Sequence, residues 1–377
     1  MTKYFIYQFA AFGDCLFATI VAKQLKASDS TCEITWGISK RYASVLTNNP
    51  HVDKIVKFEF DPKTASLEDF KNHEKEVENI KNSGEYEIIH LQLLNKHIDK
   101  LHTTLRYSVL KIFEKPITVS KNAVLNLESF EISNVRKFIT SNSIDLYPIK
   151  IIFECSPASG QSLVNATFAY QIADAFTKKS KNICFILSGP NNIEINNNQI
   201  FCANILTYRE NLELINYCDL LVGCSSGISW LTICENCKPI PTIQLLNPLS
   251  DLFASMHFDF EINNLNTDHI LEMINYDISK VEECISAVLE KGILNSKLNY
   301  HQVYKPSIFN LRNNIMKLVW LDYPIASIFR YIDSFILENI EFNNTIKITK
   351  IKKLFIVMIS ISYKLIYIFK QKIKYNA

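Results

Sequence analysis

Glycine is scarce in this chain. Its 377 residues include only 8 glycines. Average usage of about 7% would give roughly 26 in a chain of this length. Because glycine is so rare here, we expect that the backbone geometry requires it at the positions where it occurs. Five of the glycines follow segments with strand-like patterns, which predicts turns at strand ends: Gly13, Gly160, Gly189, Gly223 and Gly227.

An excess of charge of either sign is also absent. The formal net charge is +2 at pH 7, which argues against nucleic acid as a partner, because such binding requires concentrated positive charge. The chain is 48% hydrophobic and 21% charged, a composition that can bury sizeable cores. A chain of 377 residues is expected to form two domains with an appendage.

A disulfide framework and a secretory signal are missing as well. Several of the 10 cysteines, such as Cys155, Cys184 and Cys218, lie inside apolar runs, which predicts reduced thiols in a cytoplasmic protein. Cys234 and Cys237 form one Cys-x-x-Cys pair without a second pair at zinc spacing. We interpret them as packing residues, and we expect no metal site. The N-terminus leads directly into an apolar strand, unlike a signal peptide.

Strand-like and helix-like segments alternate along most of the chain. Strands are predicted at 3–7, 32–38, 55–58, 87–91, 149–154, 183–188, 220–222 and 241–246, and helices at 14–26, 40–46, 66–82, 167–178, 211–217 and 228–235. This alternation indicates an α/β protein with two doubly wound parallel sheets, each covered by helices. The pattern loosens before Tyr147-Pro148. We therefore predict domains at 1–147 and 148–295, and a helical C-terminal region at 296–377.

Acidic residues are absent from the end of the chain, between Phe342 and Ala377. Lysines flank an apolar run from Leu354 to Phe369 that only Lys364 interrupts. The run is shorter than the about 20 apolar residues that a membrane span needs. Two interpretations remain open. Residues 346–374 form either a basic amphipathic helix on an anionic membrane surface, or a helix packed on the protein or on a second copy.

Small polar residues follow the predicted strand at 220–222. Gly223 begins the turn, and Ser225, Ser226 and Gly227 precede the next predicted helix. The first N–H groups of a helix have no partner within it, and the helix dipole favours negative charge there. The bend therefore predicts a binding site for a phosphate or a diphosphate.

A carboxylate occupies the corresponding place after the first predicted strand. Asp14 follows Gly13 and falls in the first turn of a predicted helix. It is expected either to cap this helix or to point into the cleft between the domains, where it could take a proton from an acceptor hydroxyl.

The order of these segments resembles that of a known enzyme family. Gly13-Asp14, a helix, an extended segment and Asn49-Pro50-His51-Val52-Asp53 resemble the start of the bacterial heptosyltransferase-like glycosyltransferases of family 9. Leu206–Leu212, Cys218–Gly223, the serine bend and Lys238–Ile243 resemble the second half of that family. The resemblance covers roughly residues 3–60 and 149–247.

The resemblance implies a GT-B fold, in which two Rossmann-like domains face each other across a cleft. It implies an inverting, metal-independent transfer of a sugar from a nucleotide-sugar donor, without a cofactor. Asp14 matches the family's proposed base. Residues 225–227 match the segment that meets the diphosphate of the donor, and Ser156 and Ser159 match a polar loop facing the same phosphates. The first domain would then bind the acceptor and the second the donor.

Three departures from the family pattern keep other functions open. The family usually has an Asp at the position of Ser225, a His near Trp230, and a Lys followed by a Trp in the loop 159–164. Arg209 is the basic residue closest to replacing that Lys, so we expect it either to bind the diphosphate or to start a surface helix. The alternatives are a sugar-nucleotide epimerase or hydrolase of the same fold, and a non-catalytic scaffold subunit.

Our preferred hypothesis is a glycosyltransferase that builds lipopolysaccharide, lipooligosaccharide or another bacterial surface glycan. Its partners would be a nucleotide sugar and a lipid-linked glycan acceptor. The basic tail at 346–374 would keep this cytoplasmic protein on the inner face of the cytoplasmic membrane.

Overall fold

The computed structural model describes most of the chain. The described residues are 1–61, 64–92, 104–155, 160–189, 194–250, 253–303, 308–320, 325–342, 357–362 and 364.

The first sheet contains four parallel strands in the order β3-β2-β1-β4. They are β1 (Lys3–Tyr7), β2 (Glu33–Ser39), β3 (Lys54–Phe58) and β4 (Glu87–His90). The accompanying helices are α1 (Phe12–Ser28), α2 (Leu67–Asn82), α3 (Leu105–Ile112) and α4 (Ser129–Ser141). The strand order reverses direction between β1 and β4. Ligands of open α/β sheets bind at such a switch point, outside the carboxyl ends of the strands.

The second sheet contains six parallel strands in the order β10-β9-β8-β5-β6-β7. They are β5 (Ile149–Glu154), β6 (Ile183–Ser188), β7 (Ile200–Cys202), β8 (Leu220–Gly223), β9 (Thr242–Leu245) and β10 (Ile270–Met273). The accompanying helices are α5 (Ala166–Lys179), α6 (Glu210–Tyr217), α7 (Met256–Ile262), α8 (Ile278–Lys291) and α9 (Ile293–Tyr300). Here the order reverses between β5 and β8, which places their carboxyl ends at the second switch point.

The predicted fold class is confirmed, because all strand pairs in both sheets are parallel. Local signals also agree with the structure. The side chain of Ser66 accepts a hydrogen bond from the N–H of Asp69, and Asp69 accepts one from the N–H of Ser66. This capping box begins α2, within the helix predicted at 66–82. The domain boundaries at 147/148 and 295/296 stay predictions.

Some predicted segments differ in the structure. The helices predicted at 40–46 and 228–235 are wrong as α-helices: only short 3₁₀ helices form there, over Ala43–Leu46 and Ser229–Ile233. The second of them is the one beside the serine bend. It ends early because Cys234 has extended backbone and forms an isolated β-bridge with Ala123. In contrast, the segment before Tyr147, where no regular pattern was evident, contains α4.

The two halves share a hydrophobic core. Helix α1 is buried continuously from Cys15 to Leu25, as expected for a helix that is covered on several sides. Phe17 of this helix packs edge-on against Trp230, with ring centroids 5.8 Å apart. Because Trp230 belongs to the 3₁₀ helix of the second half, this contact joins the halves directly.

A buried arginine also holds the halves together. Arg209, which immediately precedes α6, pairs with Glu131 of α4 at 2.7 Å, and both residues are buried. Its remaining N–H groups donate to the backbone carbonyls of Ser44, Thr47 and Asn126. Nε and Nη2 donate to the two carboxylate oxygens of Glu131. All five guanidinium donors are therefore satisfied.

The C-terminal region contains a helical hairpin, α10 (Ile308–Trp320) and α11 (Ile325–Phe342). It packs against Ile112 of α3 and against Val357. Lys364 donates from Nζ to the carbonyl of Val319 at 2.9 Å, near the end of α10, where helix carbonyls lack internal partners. The lysine that interrupts the apolar run thus contacts the protein itself.

Most of the basic segment predicted at 346–374 lies outside the described residues, so its membrane contact stays a prediction. None of the helices in the described part of the chain is both long and apolar enough to span a bilayer.

Removing the charge of Glu131 should destabilise the protein. Glu131→Gln leaves Arg209 buried without its anion, and we expect a loss of about 3–5 kcal/mol in the free energy of unfolding, measured with urea at pH 7. The control is Glu85→Gln, which breaks the exposed ion pair between Lys3 and Glu85. It should change the free energy of unfolding little, because solvent screens an exposed pair.

The effect of Glu131→Gln should depend on pH. Burial raises the pKa of Glu131, but hydrogen bonds from Arg209 and from the N–H of Glu128 outweigh it, and the net shift is downward. The stability that this carboxylate provides is fully present above the pKa of an unfolded-state glutamate and is lost as pH falls through the lower folded-state pKa. The difference between wild type and variant should therefore shrink in acid. A constant difference would contradict the assignment.

Candidate active site

The two predicted corners meet in the structure. A Cβ atom on Gly13 would lie 3.6 Å from the Cα of Gly227, and a Cβ on Gly227 would lie 3.9 Å from the backbone N of Gly13 and 3.2 Å from Cε2 of Tyr208. Beside them, Phe12 stacks on Tyr208 with ring centroids 4.4 Å apart. The backbones of the two halves therefore adjoin at their switch points.

Asp14 faces this junction and does not cap its helix. The N-cap of α1 is Ala11, without a side-chain cap, and Asp14 lies in the first turn. Its Oδ1 is 3.2 Å from Nε of Arg106, and its side chain is 16% exposed. Of the two predicted roles, the structure excludes the cap and leaves a carboxylate at the interdomain junction.

Arg106 is a site residue that the sequence reading missed. It lies in the first turns of α3, and its guanidinium carbon is 4.8 Å from the ring centroid of Trp230. Burial by Trp230 and by the backbone at Gly13 leaves its side chain 12% exposed. The only available signal was an arginine near the start of a helix after the fourth strand, and the sequence did not indicate that this helix packs against the second half.

Three buried polar atoms near the junction have no hydrogen-bond partner among the described residues. They are Asp14 Oδ1, Arg106 Nε and Trp230 Nε1. Asp14 and Arg106 attract each other as charges, but their geometry is not that of a hydrogen bond. Buried polar groups without partners are costly and are uncommon in proteins, so this cluster marks a place where a ligand or water would be favourable.

The serine bend is organised by a carboxylate of the protein itself. Glu154, the last residue of β5, is 1% exposed. It accepts hydrogen bonds from the N–H of Cys224 at 2.9 Å, from Oγ of Ser229 at 2.6 Å and from Oγ of Ser226. Because β5 and β8 are neighbouring parallel strands, the end of β5 lies beside the bend that follows β8. The hydroxyl of Ser226, predicted to meet a diphosphate, is thus engaged by Glu154.

Ser225 and Gly223 shape the bend from within. Ser225 is fully buried with φ +51°, and its N–H donates to Oε1 of Gln244. A Cβ on Gly223 would lie 2.3 Å from Oγ of Ser229, so only glycine fits there. The side chain of Ser225 does not reach solvent, which corrects its predicted role as a direct diphosphate ligand.

Backbone donors remain on the outer side of the bend. Ser226, Gly227 and Ile228 are partly exposed. Among the described residues, their N–H groups find no acceptor. An anion at the bend would therefore accept hydrogen bonds from these N–H groups rather than from the serine hydroxyls. The predicted anion site stays a prediction, and the α-helix N-terminus that supported it in the sequence is not present.

Arg209 is not a phosphate ligand in this structure. Its guanidinium is buried and its five N–H groups all donate to Glu131 and to backbone carbonyls of the first half. Both interpretations made from the sequence, a diphosphate ligand and a surface residue, are replaced by a structural one. Ser156 and Ser159 lie outside the described residues.

A second buried carboxyl group lies close to Arg106. Thr104, the N-cap of α3, donates from Oγ1 to Asp259 of α7 and so links the two halves. Burial raises the pKa of Asp259 to about 7. Of the two carboxyl groups, Asp14 is the one within ion-pair distance of Arg106.

No group of three or more metal-ligating side chains occurs within the described segments. The expected absence of a metal and of a cofactor stays a prediction.

Comparison with known proteins identifies the fold. No family model matches the chain, and no curated protein matches it. Among solved structures, a glycosyl transferase family 9 protein from Veillonella parvula is similar over 78% of this chain and 93% of its own, with 15% identity and a TM-score of 0.53. The ADP-heptose LPS heptosyltransferase II of E. coli is similar over 77% and 98%, with 12% identity and a TM-score of 0.52.

At such low identities the similarity shows the fold alone. The chain has the two-sheet GT-B fold of these transferases, as the resemblance implied. A putative UDP-N-acetylglucosamine 2-epimerase from Listeria monocytogenes is also similar, with 10% identity over 85% of this chain and 96% of its own. Its TM-score is 0.47, and it bears on neither the fold nor the function.

The role of Glu154 can be tested by stability. Glu154→Gln replaces one acceptor oxygen by an NH₂ group that faces other donors, and we expect a loss of about 1–3 kcal/mol in the free energy of unfolding. Ser226→Ala, which removes one donor and leaves the acceptor, should cost about 1 kcal/mol or less. Urea unfolding of both variants gives the comparison. Equal stability of Glu154→Gln and wild type would show that Glu154 does not hold the bend.

Proposed function

We propose that the protein is a glycosyltransferase that uses a nucleotide-sugar donor. The observation that carries this proposal is that Gly13, the residue before Asp14, adjoins Gly227 of the bend at the two switch points of a GT-B fold. A base is then available next to backbone donors that can hold a diphosphate. The solved proteins of similar fold, whose names include an ADP-heptose transferase, support a nucleotide sugar as the donor.

The reaction follows from this geometry. Asp14 accepts the proton of the acceptor hydroxyl while the hydroxyl oxygen attacks the anomeric carbon of the donor sugar. The bond from that carbon to the diphosphate breaks, and the diphosphate leaves with the electron pair. The N–H groups of residues 226–228 stabilise the developing charge. One direct displacement inverts the anomeric configuration. We propose that positive charge from the protein, rather than from a metal ion, balances the diphosphate.

The acceptor is proposed to be a lipid-linked bacterial surface glycan, such as lipopolysaccharide or lipooligosaccharide. The basic, acid-free sequence at 346–374 supports this, because lysines near apolar residues favour an anionic membrane surface. The protein would then work at the inner face of the cytoplasmic membrane.

A non-catalytic nucleotide-sugar-fold subunit is the second candidate. The specific observation in its favour is that Glu154 engages the hydroxyl of Ser226, while Arg209 is committed to the interface. Calorimetric titration of the full chain with ADP and with UDP separates the candidates. A transferase should bind at least one of the two nucleotides, and a subunit without a donor site should bind neither.

Removing the proposed base should abolish turnover selectively. Asp14→Asn should lower kcat by about 10²- to 10⁴-fold, measured as release of nucleoside diphosphate from a panel of ADP- and UDP-activated sugars in the presence of a glycan acceptor. Binding of the nucleotide should persist. The matched control is Asp53→Asn, which removes another ion-paired carboxylate from the same half and should leave kcat unchanged. Full turnover by Asp14→Asn would remove the base assignment.

A further inference from the structure

Two arginines lie in the interface between the halves, and their environments differ. Arg209 uses all five of its donors. Arg106 makes no hydrogen bond with any described residue, although its side chain is only 12% exposed. It faces the charge of Asp14 and the ring of Trp230, and the buried carboxyl group of Asp259 lies close by. A nearly buried guanidinium with unused donors is poorly compensated.

The position of Arg106 relates it to the bend. The Cβ position of Gly13 is 3.1 Å from Nη2 of Arg106 and 3.6 Å from the Cα of Gly227. The guanidinium and the bend therefore lie next to the same point. Residues 226–228 of this bend are partly exposed, and their N–H groups find no acceptor among the described residues. The positive charge of Arg106, from the first half, and the N–H donors of residues 226–228, from the second half, therefore lie close together.

The other side of the bend is unfavourable for an anion. Glu154 occupies the hydroxyls of Ser226 and Ser229 from beneath the bend. A phosphate bound there would meet this carboxylate and would find those donors taken. The charge distribution therefore favours the side on which Arg106 lies.

We propose that Arg106 binds the diphosphate of the donor and exchanges Asp14 for phosphate oxygens when it does so. This inference rests on the proposed function and names a second catalytic residue for it. A planar guanidinium can donate two parallel hydrogen bonds to a phosphate, whereas its contact with Asp14 is not a hydrogen bond. The Trp230 ring holds the guanidinium in place through a cation–π contact.

The exchange links donor binding to the release of the base. While Arg106 is paired with Asp14, the carboxylate that should accept a proton is held by a cation. When phosphate oxygens take the guanidinium, Asp14 becomes available to the acceptor hydroxyl. The same contact that neutralises the diphosphate therefore prepares the base, and no covalent change is involved.

Binding of ADP, UDP and inorganic pyrophosphate to the full chain, measured by calorimetry, tests the exchange. Arg106→Gln should weaken binding of pyrophosphate, and of the nucleotide that the wild type binds, by about tenfold or more, because a hydrogen-bonded charge pair is lost. Arg106→Lys, which keeps the charge without the planar fork, should fall between Arg106→Gln and wild type. Asp14→Asn should tighten binding, because it removes the competing anion.

Controls separate binding from folding. Arg136→Gln removes an exposed arginine from α4 and should leave all affinities unchanged. Thermal unfolding of each variant without ligand identifies variants that fail to fold. If Arg106→Gln fails to fold, the test rests on the two other variants. Asp14→Asn should then bind more tightly than wild type, and Arg106→Lys more weakly.

The outcomes distinguish this inference from the proposed function. Weaker binding in folded Arg106→Gln together with tighter binding in Asp14→Asn supports the exchange. Wild-type affinity in Arg106→Gln overturns it and leaves the donor site and Asp14 as the base intact. Unchanged affinity in both Asp14→Asn and Arg106→Lys overturns it as well. No binding of ADP, UDP or pyrophosphate by the wild type overturns both the exchange and the transferase.

Discussion

The contact between Gly13 and Gly227 is the constraint on which the rest of the structure depends. Gly13 lies in the first turn of α1 and Gly227 in the bend after β8, so the two switch points adjoin where these backbones meet. Asp14, the residue after Gly13, is thereby placed near the bend of the other half. The shared core around Trp230 and the buried pair of Arg209 with Glu131 hold the halves in this arrangement.

The charges near this contact have separate tasks. Glu154 accepts hydrogen bonds from the bend, and Arg209 uses all five of its donors to link the two halves. Asp14 and Arg106 differ, because buried atoms of both lack hydrogen bonds. Satisfied buried charges are typical of structural roles, whereas incompletely satisfied ones are a cost that a protein retains where it binds or reacts. On this basis we assign Arg209 a structural role and Arg106 a role in the site, although both are arginines.

Much of the fold could be predicted from the sequence, because it depends on local patterns. Apolar runs predicted most of the strands, although β7 and β10 were missed, and the helical pattern at 66–82 predicted α2. The end of the segment 229–233 could not be predicted in this way, because pairing of Cys234 with Ala123, distant in the chain, determines it. Local signals therefore sufficed for elements but not for contacts between the halves.

The site could be predicted only in part for the same reason. Asp14 and the bend follow strands, so their positions at sheet edges were predictable. Glu154 also ends a strand, but its importance requires knowing that β5 and β8 are neighbours. Arg106 and Arg209 could not be told apart, because their environments are formed by segments far from them in sequence. Tertiary placement decides which arginine has unused donors.

A crystal structure of the full chain with ADP or UDP bound would test the central claim most directly. The claim is that the active site is formed jointly by both halves where Gly13 meets Gly227. The account predicts that the diphosphate lies beside the bend 225–227, within hydrogen-bond distance of the Arg106 guanidinium, with Asp14 separated from it. A nucleotide bound elsewhere on the chain, with Asp14 and Arg106 still paired, would contradict the account.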